Sequence, residues 1–458
     1  MRSDPSVDKL PLGQRTIRPE RVMCGGFLLL ILLGGVLLAL PVSTLSGESI
    51  GLANGLFTST SAVCVTGLVV VDTGRTFSLF GRIVLLVLIQ TGGLGFMAFA
   101  TMVMAALGKR ITLRDRLLMR ESLNTSTLSG LARLILWYGL MALIIEVAGA
   151  ALLSFRLVPQ LGWAQGLWFS LWHAVSAFCN AGFDLFGGFS SLTAYVNDPL
   201  VLLTAAGLIV LGSMGFAVMS EVIEQRLRWR WLSLHAKLAL VMTGGLLLVG
   251  TAAFLLLEWG NPGTLGPLKA PDKVLNAFFQ SVTMRTAGFN SVDLAAMTDG
   301  SKLVSVLLML IGANSASTGG GMKTTTVAVL ALSVGSVIRG REETTVMGRR
   351  LPREVIMRAL AVVAVTLLVF LTGTLLLAIA EDGRVPFIDL MFETASAMAT
   401  VGVSSAGTPE MSLMSKIVLV PMMYMGRVGP LTLALALANR QDGRRGRLRY
   451  PEESVTIG

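Results

Sequence analysis

Thr286-Ala287-Gly288-Phe289 is a short string that recurs, with substitutions, as Val65-Thr66-Gly67-Leu68, Asn180-Ala181-Gly182-Phe183 and Thr400-Val401-Gly402-Val403. The four glycines fall 115, 106 and 114 residues apart. Self-similarity at a near-constant period marks a repeated supersecondary unit. Before each string lies a segment too short and too rich in Ser, Thr and Ala to cross a bilayer, at about residues 50–64, 164–179, 273–285 and 386–399. Each is flanked by apolar runs of the roughly 20 residues that a spanning helix needs. These runs cover about 23–42, 79–107, 131–155, 199–220, 236–257, 302–336, 357–380 and 413–438. The expected fold is an all-α integral membrane protein with eight transmembrane helices and four re-entrant half-helices, a fourfold helix, half-helix, helix pseudo-repeat. The repeats fall at 23–107, 108–225 with a basic cytoplasmic lead-in, 226–338 and 339–438, between a cytoplasmic N-terminal segment 1–22 and a cytoplasmic tail 439–458.

Composition agrees. Hydrophobic residues make up 53% and charged residues 14% of the 458, against about 25% charged in ordinary soluble domains. That excludes a soluble enzyme of common type, and the mean hydropathy of +0.73 points the same way. The net charge of +10 would suggest nucleic acid as a partner in a soluble chain, but its placement argues for orientation instead. Of the 37 Lys and Arg, 26 fall in segments 1–22, 108–133, 221–237, 339–358 and 439–458, and nine in the opposite loops with their half-helices, with 13 acids on each side. By the positive-inside rule both termini are cytoplasmic. The N-terminus carries no signal-peptide pattern. Three cysteines without CxxC spacing and only two histidines, His173 and His235, exclude a disulfide framework or a Cys/His zinc site. No GxxxxGK[ST] phosphate loop is present, so no nucleotide-driven step resides here.

Non-helical backbone at membrane depth is tolerated only where protein covers it or it lines a water-filled cavity. Four half-helices converging on one axis, each followed by an extended strip, meet that condition. The carbonyls of the strips Val65-Thr66-Gly67, Asn180-Ala181-Gly182, Thr286-Ala287-Gly288 and Thr400-Val401-Gly402 can then replace the hydration shell of a cation. Glycine belongs there because successive carbonyls face the same way only if some residues take φ > 0. Each half-helix also aims the negative end of its dipole inward.

The run 302–336 is longer than one span and contains Gly312-Ala313-Asn314-Ser315-Ala316-Ser317-Thr318-Gly319-Gly320-Gly321-Met322-Lys323-Thr324-Thr325-Thr326. Three consecutive glycines, each costing about 1 kcal/mol relative to Ala in a helix, break this span near the midplane. Eight spans, four single-glycine strips and this string, over residues 23–438, resemble the Trk/Ktr/HKT superfamily of cation transporters. The match lies nearest its bacterial Ktr membrane subunits, since two N-terminal spans usual in Trk-type subunits are missing. The resemblance implies a pore-forming subunit that conducts dehydrated K+ through the four strips, with K+ held at the filter residues only and no cofactor in the chain. It also implies that residues 312–323 form an intramembrane gate loop. Glycine at all four positions favours K+ over Na+, because serine at the first goes with Na+ transport in plant relatives; a sodium-selective or nonselective pore of the same fold is the alternative. The implied assembly is a homodimer with two separate pores in membrane lipid, resting on a cytosolic ring of nucleotide-binding RCK-type regulatory subunits, with Na+ as coupling or activating ion in some relatives.

Two cations stand within spans, Lys323 and Arg427. A charge at that depth costs at least about 2.5–3.5 kcal/mol and usually marks an ion path. In the resembling family the equivalent of Arg427 protrudes into the cavity under the filter, where it either repels a passing cation or clamps the gate loop through its carbonyls. Lys323 is expected to cap loop carbonyls. Glu146, the lone acid in a span, is expected to meet a structural partner or an interface, and His173 to support packing around the second strip. Asp72, Asp184 and Asp293 lie where they would draw cations to an outer mouth.

Overall fold

Long runs of Leu, Val and Ala without central proline favour helix, and helix satisfies every backbone group without water. The computed structural model describes residues 19–95, 98–99, 102, 131–226, 228–341, 343–429 and 432–433. They form four successive units. The first comprises α1 (Pro19–Ala39), α2 (Leu52–Val63) and α3 (Leu79–Leu94). The second comprises α4 (Leu131–Leu161), α5 (Trp163–Phe178), α6 (Pro199–Met214) and α7 (Phe216–Glu224). The third comprises α8 (Leu234–Glu258), α9 (Ala270–Thr283), α10 (Asp299–Leu310) and α11 (Thr324–Ile338). After a small antiparallel hairpin, β1 (Thr345–Val346) and β2 (Arg349–Arg350), the fourth comprises α12 (Arg353–Glu381), α13 (Phe387–Met398) and α14 (Leu413–Val428).

Among the described residues four helices are long and apolar enough to cross a membrane singly: Arg21–Ala39, Arg133–Leu161, Leu234–Glu258 and Arg353–Glu381. A fifth candidate is the α6 and α7 pair, bent by 96°. The run 199–220, expected as one straight span, is therefore two helices. The cause is Gly215, whose φ of 90° and ψ of 130° end α6. The same conformation ends α3 at Gly95 (φ 86°, ψ 134°) and α14 at Gly429 (φ 93°, ψ 128°). The expected spans 79–107 and 413–438 run on past these glycines, in part beyond the described residues. In the third unit the break is wider, from Leu310 to Thr324.

The polarity of the packing is inverted. Leu248, Leu256 and Ile338 are largely exposed, as suits a lipid-facing surface, whereas Ser59, Thr60, Ser61, Ser396 and Thr394 are fully buried around the short helices. The loops between short and second helices are fastened by carboxylates. In the third unit Glu258 accepts from the N–H (2.9 Å) and hydroxyl (2.7 Å) of Thr298, the N-cap of α10. In the fourth Glu381 accepts from the N–H of Ser412 (2.9 Å), the N-cap of α14, and from Ser415 Oγ (2.5 Å). A buried ion pair, Lys302 Nζ to Asp389 Oδ1 at 2.7 Å, joins α10 to α13.

Candidate functional site

Each short helix ends and turns directly into its strip. Val65, Asn180, Thr286 and Thr400, the first residues of the four strips, have φ of 56°, 58°, 71° and 52°, and Gly67, Gly182, Gly288 and Gly402 have φ of 97°, 70°, 83° and 94°. The middle residues Thr66, Ala181, Ala287 and Val401 are not left-handed. Alternating the sign of φ turns successive carbonyls toward one side of the chain. Left-handed Val and Thr are genuine outliers, each storing of order 1–3 kcal/mol that the surroundings must hold. The surroundings are complete: every non-glycine residue of the strips is fully buried.

The four glycines close a ring. A Cβ on Gly67 would meet Ala181 O at 2.5 Å and Gly182 Cα at 3.2 Å; one on Gly182 would meet Gly288 Cα at 2.6 Å; one on Gly288 would meet Val401 O at 2.7 Å; and one on Gly402 would meet Gly67 Cα at 2.7 Å. Strip one thus abuts strip two, two abuts three, three abuts four, and four returns to one. Hydroxyls in the short helices hold the strips from behind. Ser61 Oγ and Ser396 Oγ accept from the N–H of Gly67 and Gly402, each at 3.0 Å, while Ser176 Oγ and Thr283 Oγ1 donate to the carbonyls of Phe183 (2.7 Å) and Phe289 (2.5 Å). Asn180 Nδ2 donates to Thr286 Oγ1 at 3.2 Å, linking two strips directly. Thr66 Oγ1 and Thr400 Oγ1 are buried with no hydrogen-bond partner among the described residues.

Two cavities flank the ring. One, of about 340 Å³, is lined by the four glycines together with Asp72, Asp184, Asp293 and Glu410. Burial pushes the Asp184 carboxyl, in the loop after the second strip, up to about 6, against its bonds from backbone N–H groups and with a further rise from Asp72. The other, of about 320 Å³, is lined by Met322, Lys323, Thr366, Met398, Ala399 and Arg427.

Residues 312–323 pass beneath the ring. Thr318 Oγ1 donates to Phe178 O at 3.1 Å and reaches Asn180 Oδ1 at 3.4 Å. A Cβ on Gly319 would strike Thr286 Oγ1, and one on Gly320 would strike Thr400 Oγ1. Three consecutive loop residues therefore lie against the first residues of strips two, three and four in order. Gly319 and Gly320 are glycines because only a hydrogen fits there. The loop is also tied sideways, with Asn314 N to Ser213 O (3.1 Å), Thr318 N to Gly212 O (3.2 Å), and Phe216 N to Ala316 O (2.9 Å), so the bend at Gly215 opens a seat for the loop. Gly312, Ala313, Ser315, Ser317 and Gly321 complete the segment; Ser315 and Gly321 also line the second of the two cavities.

Lys323 Nζ donates to Gly319 O at 2.9 Å, across the loop. Arg427 donates through Nη1 to Thr318 O and through Nη2 to Gly92 O and, at 3.0 Å, to Gly93 O. Arg427 thus joins the loop carbonyl of Thr318 to the carbonyls at the end of α3. Glu146 accepts from Gln90 Nε2 at 2.9 Å, a structural partner on α3. His173 engages Phe169 O through Nδ1 (2.7 Å) and accepts from Leu185 N–H through Nε2 (3.3 Å), which fixes the proton on Nδ1 and holds the segment after strip two.

Sequence reading missed three features. Arg285, counted with the outer loops, is among the largest fully buried side chains, and Lys302, counted there too, is buried against Asp389. The left-handed first residues were unforeseen, since glycine alone was expected to carry φ > 0. The three glycine bends had a signal: Gly92-Gly93-Leu94-Gly95, Gly212-Ser213-Met214-Gly215 and Gly426-Arg427-Val428-Gly429 repeat a Gly-x-x-Gly spacing, and Gly312 opens the corresponding string in unit three. A Cβ on Gly92, Gly212 or Gly426 would strike the carbonyl of Val63, Phe178 or Met398, the last residue of the adjoining short helix.

A ring of strained strips between two cavities, set in a lipid-facing helical shell, defines a membrane transport protein. The family described as TrkH, cation transport protein, matches residues 35–443, and the chain belongs to it. It is 43% identical over 440 residues to Ktr system potassium uptake protein B of Bacillus subtilis, spanning 96% of this chain and 97% of that one. Ktr system potassium uptake protein B of Vibrio alginolyticus is 42% identical over 96% of this chain and 94% of its own. Potassium/sodium uptake protein NtpJ of Enterococcus hirae is 37% identical over 97% and 98%. The crystal structure of the potassium transporter TrkH from Vibrio parahaemolyticus shares the fold, with a TM-score of 0.69 and 20% identity over 93% of this chain and 86% of that one.

Proposed function

We propose that the chain is the pore-forming subunit of a potassium uptake system, in which dehydrated K+ passes through the ring of strips and residues 312–323 open or close the route below it. The cyclic contact of Gly67, Gly182, Gly288 and Gly402 carries this reading, because it gathers four sets of backbone carbonyls around one axis. The unpartnered hydroxyls of Thr66 and Thr400 are further acceptors for a cation. In this reading the four apolar helices that meet the spanning length alternate with the interrupted second helices to make eight crossings, the short helices are re-entrant, and both termini face the cytoplasm. The units function as one filter, so the divisions at 23–107, 108–225, 226–338 and 339–438 are repeats of a single domain. K+ is cargo at the strips, and Na+ acts as coupling or activating ion. The subunit works as a homodimer on a cytosolic ring of nucleotide-binding RCK-type subunits. The word "system" in the names of the two Ktr relatives supports a partner subunit.

The test is cation flux in liposomes, with K+ and Na+ each supplied alone and together. K+ flux exceeding Na+ flux is the expected result. Equal fluxes would favour a nonselective or sodium-conducting pore, the reading to which the potassium/sodium name of the Enterococcus hirae relative lends weight. Gly67→Ser probes the same point, because a side chain there meets Ala181 O at 2.5 Å on a backbone with φ of 97°.

A further inference from the structure

The turn that leads from the short helix into the third strip has one residue more than its counterparts. From the residue that caps the short helix to the glycine the separation is three residues in units one, two and four (Cys64 to Gly67, Cys179 to Gly182, Ala399 to Gly402) and four in unit three (Met284 to Gly288). Arg285 fills the added position. Its side chain is 1% exposed, no carboxylate among the described residues forms an ion pair with it, and its Nε has no partner. A guanidinium carries five N–H donors and cannot shed its charge, so an unpaired buried one is costly. Among the described residues its one hydrogen bond runs from Nη2 to Thr243 Oγ1 on α8, at 3.4 Å. The same oxygen accepts from Asn314 Nδ2, in the loop beneath the ring, at 3.2 Å. Asn314 is otherwise held by Met214 O and by the hydroxyl of Thr324.

We propose that Arg285 is a positioning residue that ties the third strip to the intramembrane loop through the Thr243 hydroxyl, so that the loop's position and the ion preference of that strip are set together. This rests on the pore reading above. The added residue and the widest helix break occur in the same unit, and both converge on one oxygen with two lone pairs. When the loop moves and Asn314 withdraws, the oxygen is left to Arg285 alone, and the backbone from Met284 to Gly288 relaxes toward α8. The strip thereby senses the loop.

The experiment measures K+ and Na+ flux of purified full-length protein in liposomes for Thr243→Val, Thr243→Ser, Arg285→Lys and Arg285→Met. Thr243→Val keeps the shape of the side chain and removes the shared acceptor. It is expected to change both the basal K+ flux and the K+/Na+ ratio by about two- to thirty-fold, the span of couplings carried by such networks, while Thr243→Ser retains both. Arg285→Lys should fall between the native protein and Arg285→Met, because an ammonium keeps the charge but not the fork. An unchanged flux and ratio in Thr243→Val would overturn the proposal and leave Arg285 as packing. A changed flux with an unchanged ion ratio would also overturn it, since Thr243 would then hold only the loop. Should Arg285→Met fail to assemble, Thr243→Val still decides. Absence of K+ flux in the unsubstituted protein is a different result and would overturn the pore reading itself.

Discussion

Single atoms decide the width of the ring. At Gly288 an added methyl would stand 2.6 Å from Gly182 Cα and 2.7 Å from Val401 O, contacts that backbone cannot yield without moving two neighbouring strips. Gly288→Ala is therefore expected to abolish K+ uptake in a potassium-uptake-deficient strain while leaving membrane protein levels near native. Normal growth of that variant at low K+ would remove Gly288 from the path. Asp184 offers a pH handle. Burial pushes its carboxyl up to about 6, above the ordinary carboxylate range, so its negative charge at the cavity lined by the four glycines is present above that value and is lost as pH falls through it. Apparent K+ affinity measured at external pH 5 should be weaker than at pH 7, and Asp184→Asn should flatten that dependence; an identical profile in the variant would place the titration elsewhere. The carboxylates of Asp72, Asp293 and Glu410 share this cavity, which is why the variant, and not the pH profile alone, makes the assignment.

The elements divide by how local their cause is. The short helices were readable within a few residues, at Leu52–Val63, Trp163–Phe178, Ala270–Thr283 and Phe387–Met398, because their length, their small polar residues and the glycine that follows are all local. The broken span was readable for the same reason: consecutive glycines cannot propagate a helix. The bend at Gly215 was not, because one glycine inside a long apolar run fits a straight span equally well unless its Gly-x-x-Gly spacing is compared across the units; in the fold the bend lets Phe216 N–H donate to Ala316 O of the loop. The burial of Arg285 was not legible for a similar reason, since its acceptor lies 42 residues away on another helix. The loop itself is held by identifiable bonds, and removing them should free it. Arg427→Ala deletes the donors to Thr318, Gly92 and Gly93 and is expected to raise basal K+ flux several-fold in liposomes that hold this chain alone. Deleting Ser317-Thr318-Gly319 should raise it further. If neither change alters flux, the loop is scaffold and the gate lies elsewhere.

At the scale of the molecule, the third and fourth units are bolted together outside the ring. Lys302 and Asp389, both buried, meet at 2.7 Å, and Ser405 Oγ, just beyond the fourth strip, donates to the same carboxylate at 2.7 Å. Removing one partner leaves a buried charge, so Lys302→Met is expected to cost about 3–5 kcal/mol, with much of it recovered when Asp389→Leu is added. Thermal unfolding in detergent, followed by size exclusion, measures this, and an additive double variant would show that the two side chains do not act as a pair. The closed ring has a consequence in time as well as in space. The fourth strip begins only at Thr400, and it alone supplies the neighbour that completes the first. Until the ribosome has delivered that last stretch, the earlier strips form an open arc whose two ends, strips one and three, each lack a neighbour. A chain cut short before unit four is thus expected to be a substrate for membrane proteases and not a leak, a safeguard for a cell whose ion gradients would not survive a half-built hole.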